Sequence, residues 1–283
     1  KKTTKDCVLI NGGEVGTTCA RVGCMPSKVG IHVADSMHHP KTFGRYGIEG
    51  GKALSIDQEE ALEYIRDMRD DFVDGVLAGT IDEFSDEEFI EGYAQFVDVN
   101  TLQVGEQTIK AKKIVIATGS SPVLPEAWKA FGDKVITTDQ LFELEVLPES
   151  MAVIGLGVIG LELGQMLSRL GVNVTGVDQL DVVAHLADPV VAKVAEETFA
   201  REFPLWLGQP ATVEAEGDQL KVTSGEQSVL VDCVFATMGR TQNLSNLGLD
   251  KIGVDLDEYG MPSIHPETMQ IGDLPIFMAG DVI

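Results

Sequence analysis

The sequence predicts an α/β protein in which one arrangement occurs twice: a strand and helix unit, a small antiparallel meander, then a buried strand that stops in small residues. Three observations predict it. Apolar strands lead into glycine-bearing turns at Cys7-Val8-Leu9-Ile10 and at Met151-Ala152-Val153-Ile154. Alternating apolar and polar residues, broken by Asn100, Gly105, Gly217 and Gly225, mark the stretches 92–118 and 211–238 in the manner of short antiparallel strands. Finally, Lys113–Thr118 and Val231–Met238 are apolar runs closed by Gly119-Ser120 and by Gly239.

At 283 residues the chain can form two domains of ordinary size, each with its own core, and 44% hydrophobic residues fit that class. A formal net charge of −24 argues against a nucleic-acid partner, because neutralising phosphates takes clustered Lys and Arg. The acidity reads instead as solubility, or as adaptation to a salty medium. No apolar run approaches the ~20 residues that a membrane helix needs, so the cytoplasm is the expected location. Four cysteines make no disulfide scaffold. His38 and His39 have no metal-ligand spacing to a cysteine, and no metal site is expected.

The chemistry concentrates in Gly16 to Lys28, where Cys19 and Cys24 are followed by Pro26 and Lys28. On an ideal helix, residues five apart point about 140° away from each other, too divergent for the ~4.4–6.8 Å Cα separation of a disulfide. The turn that holds a redox pair must therefore be distorted. Pro26 is expected to kink the backbone by removing a helical hydrogen bond, and Gly23 to permit close approach. Cys19 falls near a helix start, where partial positive charge favours thiolate. Cys7 and Cys233 lie in apolar runs and read as buried thiols.

Farther along, residues 28–39 read as a helix, Ser55-Ile56-Asp57-Gln58 has capping-box spacing, and Leu62, Ile65, Met68, Phe72, Val73 and Val76 recur at helical spacing through Gly79. Asp82–Glu91 reads as an acidic surface stretch. The second glycine turn is the more specific. Gly155, Gly157 and Gly160 follow an apolar strand and open a helix: the first allows a tight turn, the second lets backbone amides reach a pyrophosphate, and the third permits close packing. Asp178 lies about twenty residues on, where a carboxylate receives ribose hydroxyls. Neither Arg nor Lys occurs from Gln179 to His185, so NAD is expected over NADP. Glu162, on the helix after the glycines, can be read as favourable placement in the helix dipole. His265 falls in a polar loop and reads as structural.

The run Thr18-Cys19 through Cys24-Met25-Pro26-Ser27-Lys28 resembles the redox-active segment of the pyridine nucleotide-disulfide oxidoreductases, and Pro26-Ser27-Lys28 most resembles the dihydrolipoamide dehydrogenase branch. The resemblance implies two Rossmann-like domains that bind FAD and NAD. It implies that Cys19 exchanges with a dithiol or disulfide substrate, that Cys24 lies against the flavin as the charge-transfer thiolate, and that Lys28 pairs with Glu162 near the nicotinamide. Further FAD contacts are implied for Asn11, Thr18, Lys28, Ala94, Thr118, Gly119 and Asp281. For NAD they are implied for Gly155, Gly157, Val158, Ile159, Gly160, Glu162, Asp178 and Gly239.

Gly239-Arg240-Thr241-Gln242-Asn243 is similar to the family's Gly-Arg-x-Pro-Asn except at Gln242. Asn11 stands where the family has Glu, and residues 1–10 hold no glycine-rich turn. The implied domains are 1–147 for FAD and 148–267 for NAD, with 268–283 returning to the first. A C-terminal domain of about a hundred residues, which forms the homodimer and carries a His-Glu pair, is expected outside this chain, so a fragment open at both ends is expected. The implied partner is a small dithiol or disulfide, or a lipoyl-bearing protein, with no nucleic acid and no membrane. Alternatives are a glutathione- or mercuric-reductase-like enzyme, and a nucleotide-binding module without redox chemistry.

Overall fold

A computed structural model describes residues 6–283; the opening residues 1–5, part of the stretch read as lacking a glycine turn, lie outside the described residues. Along the chain, β1 (Leu9–Asn11), α1 (Thr18–Arg21), α2 (Cys24–His38) and α3 (Gln58–Ala78) precede β2 (Phe89–Glu91) and the meander β3 (Ala94–Asp98), β4 (Thr101–Val104) and β5 (Gln107–Lys110). Then come β6 (Ile114–Ile116), β7 (Ser120–Pro122), β8 (Val135–Ile136), α4 (Thr138–Leu141), β9 (Ser150–Ile154), α5 (Val158–Arg169), β10 (Asn173–Val177), α6 (Pro189–Phe199) and β11 (Leu205–Trp206). The second meander, β12 (Ala211–Glu216), β13 (Gln219–Ser224) and β14 (Gln227–Val231), leads to β15 (Cys233–Ala236), β16 (Arg240–Gln242) and β17 (Ile276–Met278).

Two compact units form: the chain up to Thr18 with Phe72–Ser121 and Arg240–Ile283, and Cys19–Asp71 with Pro122–Gly239. They differ from the boundaries at 147 and 267 that the resemblance implies. The cysteine segment groups with residues 122–239, because α2 packs closely on α5: a Cβ on Gly30 would collide with Met166 Sδ.

The unit holding Cys19 is built on a five-stranded parallel sheet of order β11-β10-β9-β15-β8. A parallel strand covered on both faces needs a near-continuous apolar run, and β9 supplies it in Met151, Ala152 and Val153, all fully buried. Alternate residues serve the two faces. Met151, Val153, Val174 and Phe235 join α5 and Leu62 and Ile65 of α3 in one core. Ala152, Ile154, Val234 and Ala236 join Val213, Leu220 and Val222 of the meander and Trp128 in another.

In the other unit, β1 pairs with β2 and β6 with β17, both parallel. The meander β3-β4-β5 is antiparallel, and Phe96, Leu102, Ile114, Ile276 and Met278 close its core.

Several local expectations change. The long helix is capped by Asp57, whose Oδ1 accepts the N–H groups of Glu59 and Glu60 at 3.1 and 3.3 Å, and not by a Ser55 box. Gln58, needed for that box, instead donates to the Leu170 carbonyl at 2.8 Å. The acidic stretch ends in a strand, β2, since Phe89-Ile90 supply the apolar residues it needs. Glu162 stands beyond the first turn of α5, which begins at Val158, so dipole placement does not account for it. Cys7 is half-buried, while Cys233 is buried.

Candidate dinucleotide and dithiol sites

In the unit holding the cysteines, the break between α1 and α2 falls at Val22-Gly23, where Gly23 takes φ −128° and ψ −118°. This corrects the role given to Pro26. The proline sits in the first turn of α2, where its missing N–H removes no bond, and helical bonding restarts with Ser27 N–H donating to Gly23 O at 3.2 Å. The break folds Cys19 back toward the start of α2. Burial pushes the Cys19 thiol above its ordinary range, and the hydrogen-bonded Cys24 side chain adds to this, while the Cys24 and Met25 N–H groups act the other way. Both are free thiols, with Cys24 exposed.

One turn beyond Cys24, Lys28 Nζ lies 2.6 Å from Glu162 Oε2. Two contacts bring these helices together. The Gly30–Met166 approach lies just past both residues. At the far end, Arg169 of α5 pairs with Asp35 of α2 and donates from Nε to Glu202 at 2.8 Å.

The glycine turn fits a dinucleotide. Gly155 has φ +99°, and a Cβ there would come 2.5 Å from Thr237 O; one on Gly160 would run into Gly155 O. These two positions admit no side chain. Gly157 differs: it is the N-cap of α5, with no side-chain cap on the helix's first N–H groups, and its Cβ position is open apart from His185 Nε2 at 3.8 Å. An uncapped helix start with open space before it is the geometry in which backbone amides can meet a pyrophosphate. Val158 and Ile159, on the first turn, are exposed apolar residues. Asp178 is buried, with Oδ2 accepting Leu156 N–H at 2.5 Å and Oδ1 accepting Leu180 N–H at 2.9 Å, so it shapes the turn while each oxygen keeps a lone pair for a ribose. Gly239 has φ +100° with open space around it. Thr237, which sequence reasoning missed, donates to Gly155 O at 2.6 Å.

The other unit gathers every implied FAD contact except Lys28. Asn11 spends its amide on Gly13 O at 2.6 Å. Ala94 opens β3 opposite Val104. Thr118 donates to Asn243 O at 2.8 Å and Asn243 Nδ2 returns to Thr118 O at 3.0 Å. Gly119 has φ +68°, and a Cβ there would come 3.5 Å from Thr18 Oγ1. Ser120 donates to Asp281 at 2.5 Å and accepts from Arg240 Nε at 2.7 Å. Three motifs far apart in sequence are thereby tied together, with Asp281 left half exposed. Ser120 and Arg240 lie within motifs quoted from the sequence but were not singled out there as site residues. His265 serves its turn, Nδ1 accepting the N–H groups of Glu267 and Thr268.

Residues 2–283 match the family described as pyridine nucleotide-disulphide oxidoreductase. The chain belongs to this family. Membership brings the family's cofactors, FAD and NAD(P). Dihydrolipoyl dehydrogenase of Thermus scotoductus is 29% identical over 97% of this chain and 60% of its own length. Mercuric reductase of Staphylococcus aureus is 30% identical over 97% of the chain and 51% of its own. The same fold is seen in the crystal structure of LpdA from Mycobacterium tuberculosis, with a TM-score of 0.83 at 23% identity, over 98% of this chain and 61% of that one. The chain thus spans about half to three fifths of these relatives. Among the described residues no helix is long and apolar enough to cross a membrane.

Proposed function

We propose that this chain carries the dithiol and nucleotide-binding parts of a dihydrolipoamide-dehydrogenase-like oxidoreductase, which passes electrons between a dithiol substrate, the Cys19 and Cys24 pair, FAD and NAD. The observation that carries it is the Cys19–Cys24 hydrogen bond beside a 2.6 Å Lys28–Glu162 pair, on a unit whose glycine turn is shaped for a dinucleotide. Bound FAD would supply the two-electron relay between thiols and nicotinamide. The protein's own part is thiol exchange: a thiolate of the pair attacks a substrate disulfide, and the second thiolate displaces the resulting mixed disulfide. One protein disulfide forms, and one substrate disulfide becomes a dithiol. The expected partner is a small dithiol or a lipoyl-bearing protein.

The reduced chain should react with lipoamide to lose two of its four alkylatable thiols, mapped by peptide mass to Cys19 and Cys24, and C19S or C24S should each abolish this. Retention of all four thiols would refute the proposal. The Staphylococcus aureus mercuric reductase is about as similar as the dehydrogenases, which keeps that chemistry as the second reading. Preference for NADPH over NADH in binding would favour it.

A further inference from the structure

We propose that His185 is a further dinucleotide-binding residue whose imidazole N–H donates to the pyrophosphate seated on the Gly155–Gly160 turn; this rests on the dinucleotide site proposed above. The open face of Gly157 is the point where the fold leaves room for the pyrophosphate. Among the described residues, leaving aside the glycine and its chain neighbours, His185 Nε2 is the one heavy atom within 4 Å of that point, at 3.8 Å. A polar ring atom there faces the cradle at ordinary van der Waals distance.

The backbone holds it there against its own preference. Among the described residues only three non-glycines have positive φ, and two are the adjacent Ala184 (φ 53°) and His185 (φ 56°). Side chains disfavour this region, so the segment must be fixed by its surroundings. Val183 is fully buried, Ala184 N–H donates to Leu156 O in the glycine turn at 2.8 Å, and Leu186 N–H closes back on Val183 O at 3.1 Å. Asp188 then starts α6, accepting from Val190 and Val191 N–H groups. Strain of this kind persists where it positions a working group. Here it turns His185 onto the glycine turn to which Ala184 is tied. A neutral Nε2–H suffices as donor, and an anionic acceptor makes such a bond stronger than one between neutral groups.

The test is calorimetric titration of the 283-residue chain, wild type, H185A and H185Q, with NADH and with NADPH. H185A should weaken both nucleotides by about tenfold, the effect of one hydrogen bond to a charged group, while H185Q, which keeps an N–H donor, should stay within about threefold of wild type. Equal affinity of H185A and wild type overturns the proposal and leaves the dinucleotide site standing. So does an equal loss in H185A and H185Q, which would assign the effect to the backbone, or a loss confined to NADPH, which would place His185 at the 2′-phosphate. Failure of the wild type to bind either nucleotide would overturn the site and His185's role together.

Discussion

Two glycines three residues apart are predicted to fail in opposite ways when each is replaced by alanine. A Cβ on Gly160 meets the Gly155 carbonyl oxygen, a backbone atom that cannot swing aside, and Thr237 Oγ1 at 2.8 Å. Overpacking of this kind costs about 1–3 kcal/mol, and the fixed obstacle puts G160A at the upper end. Alanine in a helix returns about 1 kcal/mol, leaving a net loss of about 2 kcal/mol. At Gly157, φ is −66° and the nearest atom is 3.8 Å away, so G157A costs under about 1 kcal/mol as an N-cap change. Its methyl group nevertheless fills the space in which the pyrophosphate is proposed to sit. Urea unfolding followed by tryptophan fluorescence reads the first effect cleanly, because Trp128 and Trp206 both lie in the unit that contains the turn. With a slope of about 2 kcal/mol/M, G160A should lower the midpoint by about 1 M, and G157A by less than half that. NADH titration should show the reverse order, with G157A weakened tenfold or more. An unmoved midpoint in G160A, or wild-type NADH affinity in G157A, would refute the reasoning.

Three further outcomes are expected. R169M removes the partner of the nearly buried Glu202 carboxylate, which Arg169 holds below the ordinary range by hydrogen bonding; it should destabilise the same unit by about 2 kcal/mol in urea unfolding. Burial, followed by the Arg169 cation and more weakly Lys41, holds His38 below the ordinary imidazole range, while Glu202 and Asp35 pull the other way. The unfolded chain therefore takes up this proton first, so the stability is full above pH about 6.5 and falls as pH drops below it, and H38Q should flatten that limb of the stability profile. Burial pushes the Cys233 thiol up to about 12, with Asp232 adding to the shift. At pH 8, iodoacetamide should label exposed Cys24 in the folded chain and reach Cys233 only in denaturant; equal labelling rates would contradict that burial.

What the sequence made legible was whatever a short pattern decides locally. The turns at Gly217 and Gly225 punctuate a period-two alternation and separate β12 from β13 and β13 from β14. Gly160 is fixed by sterics inside the turn, against Gly155 O, whereas the obstacle at Gly155 is Thr237 O, far along the chain, and Gly157 meets no such obstacle. The two-residue strands β8 and β11 are too short to show a period, and they exist because the neighbouring strands β15 and β10 offer them a ladder. For α4 and α6 the signals were present and unused: Thr137 and Gln140 form a reciprocal capping box, and Asp188 caps a helix with proline at its first position. The grouping of the cysteine segment with residues 122–239 was not legible. It turns on α2 packing against α5, where Gly30 lies against a methionine 136 positions later and Asp35 pairs with Arg169, contacts that no local pattern encodes.

The placement of the helix break relative to Pro26 links sequence to chemistry in a way that a simple kink would not. In an unbroken helix the Cys24 and Met25 N–H groups would bond the Ala20 and Arg21 carbonyls, and Pro26 would leave Val22 without a donor. Breaking at Val22-Gly23 removes that deficit, because the bond that proline cannot make is one the break has already given up. It also releases the Cys24 and Met25 N–H groups, and both bear on Cys19. The proline and the glycine thus act together. The proline makes a restart at Cys24 cost nothing, the glycine supplies the backbone conformation for it, and the freed amides are aimed at the sulfur proposed to meet the substrate. Replacing Gly23 with valine, which resists φ −128° with ψ −118°, should therefore slow lipoamide exchange at Cys19 more than it lowers the urea midpoint. A variant that loses stability in proportion to its rate would break this link between the turn and the thiol.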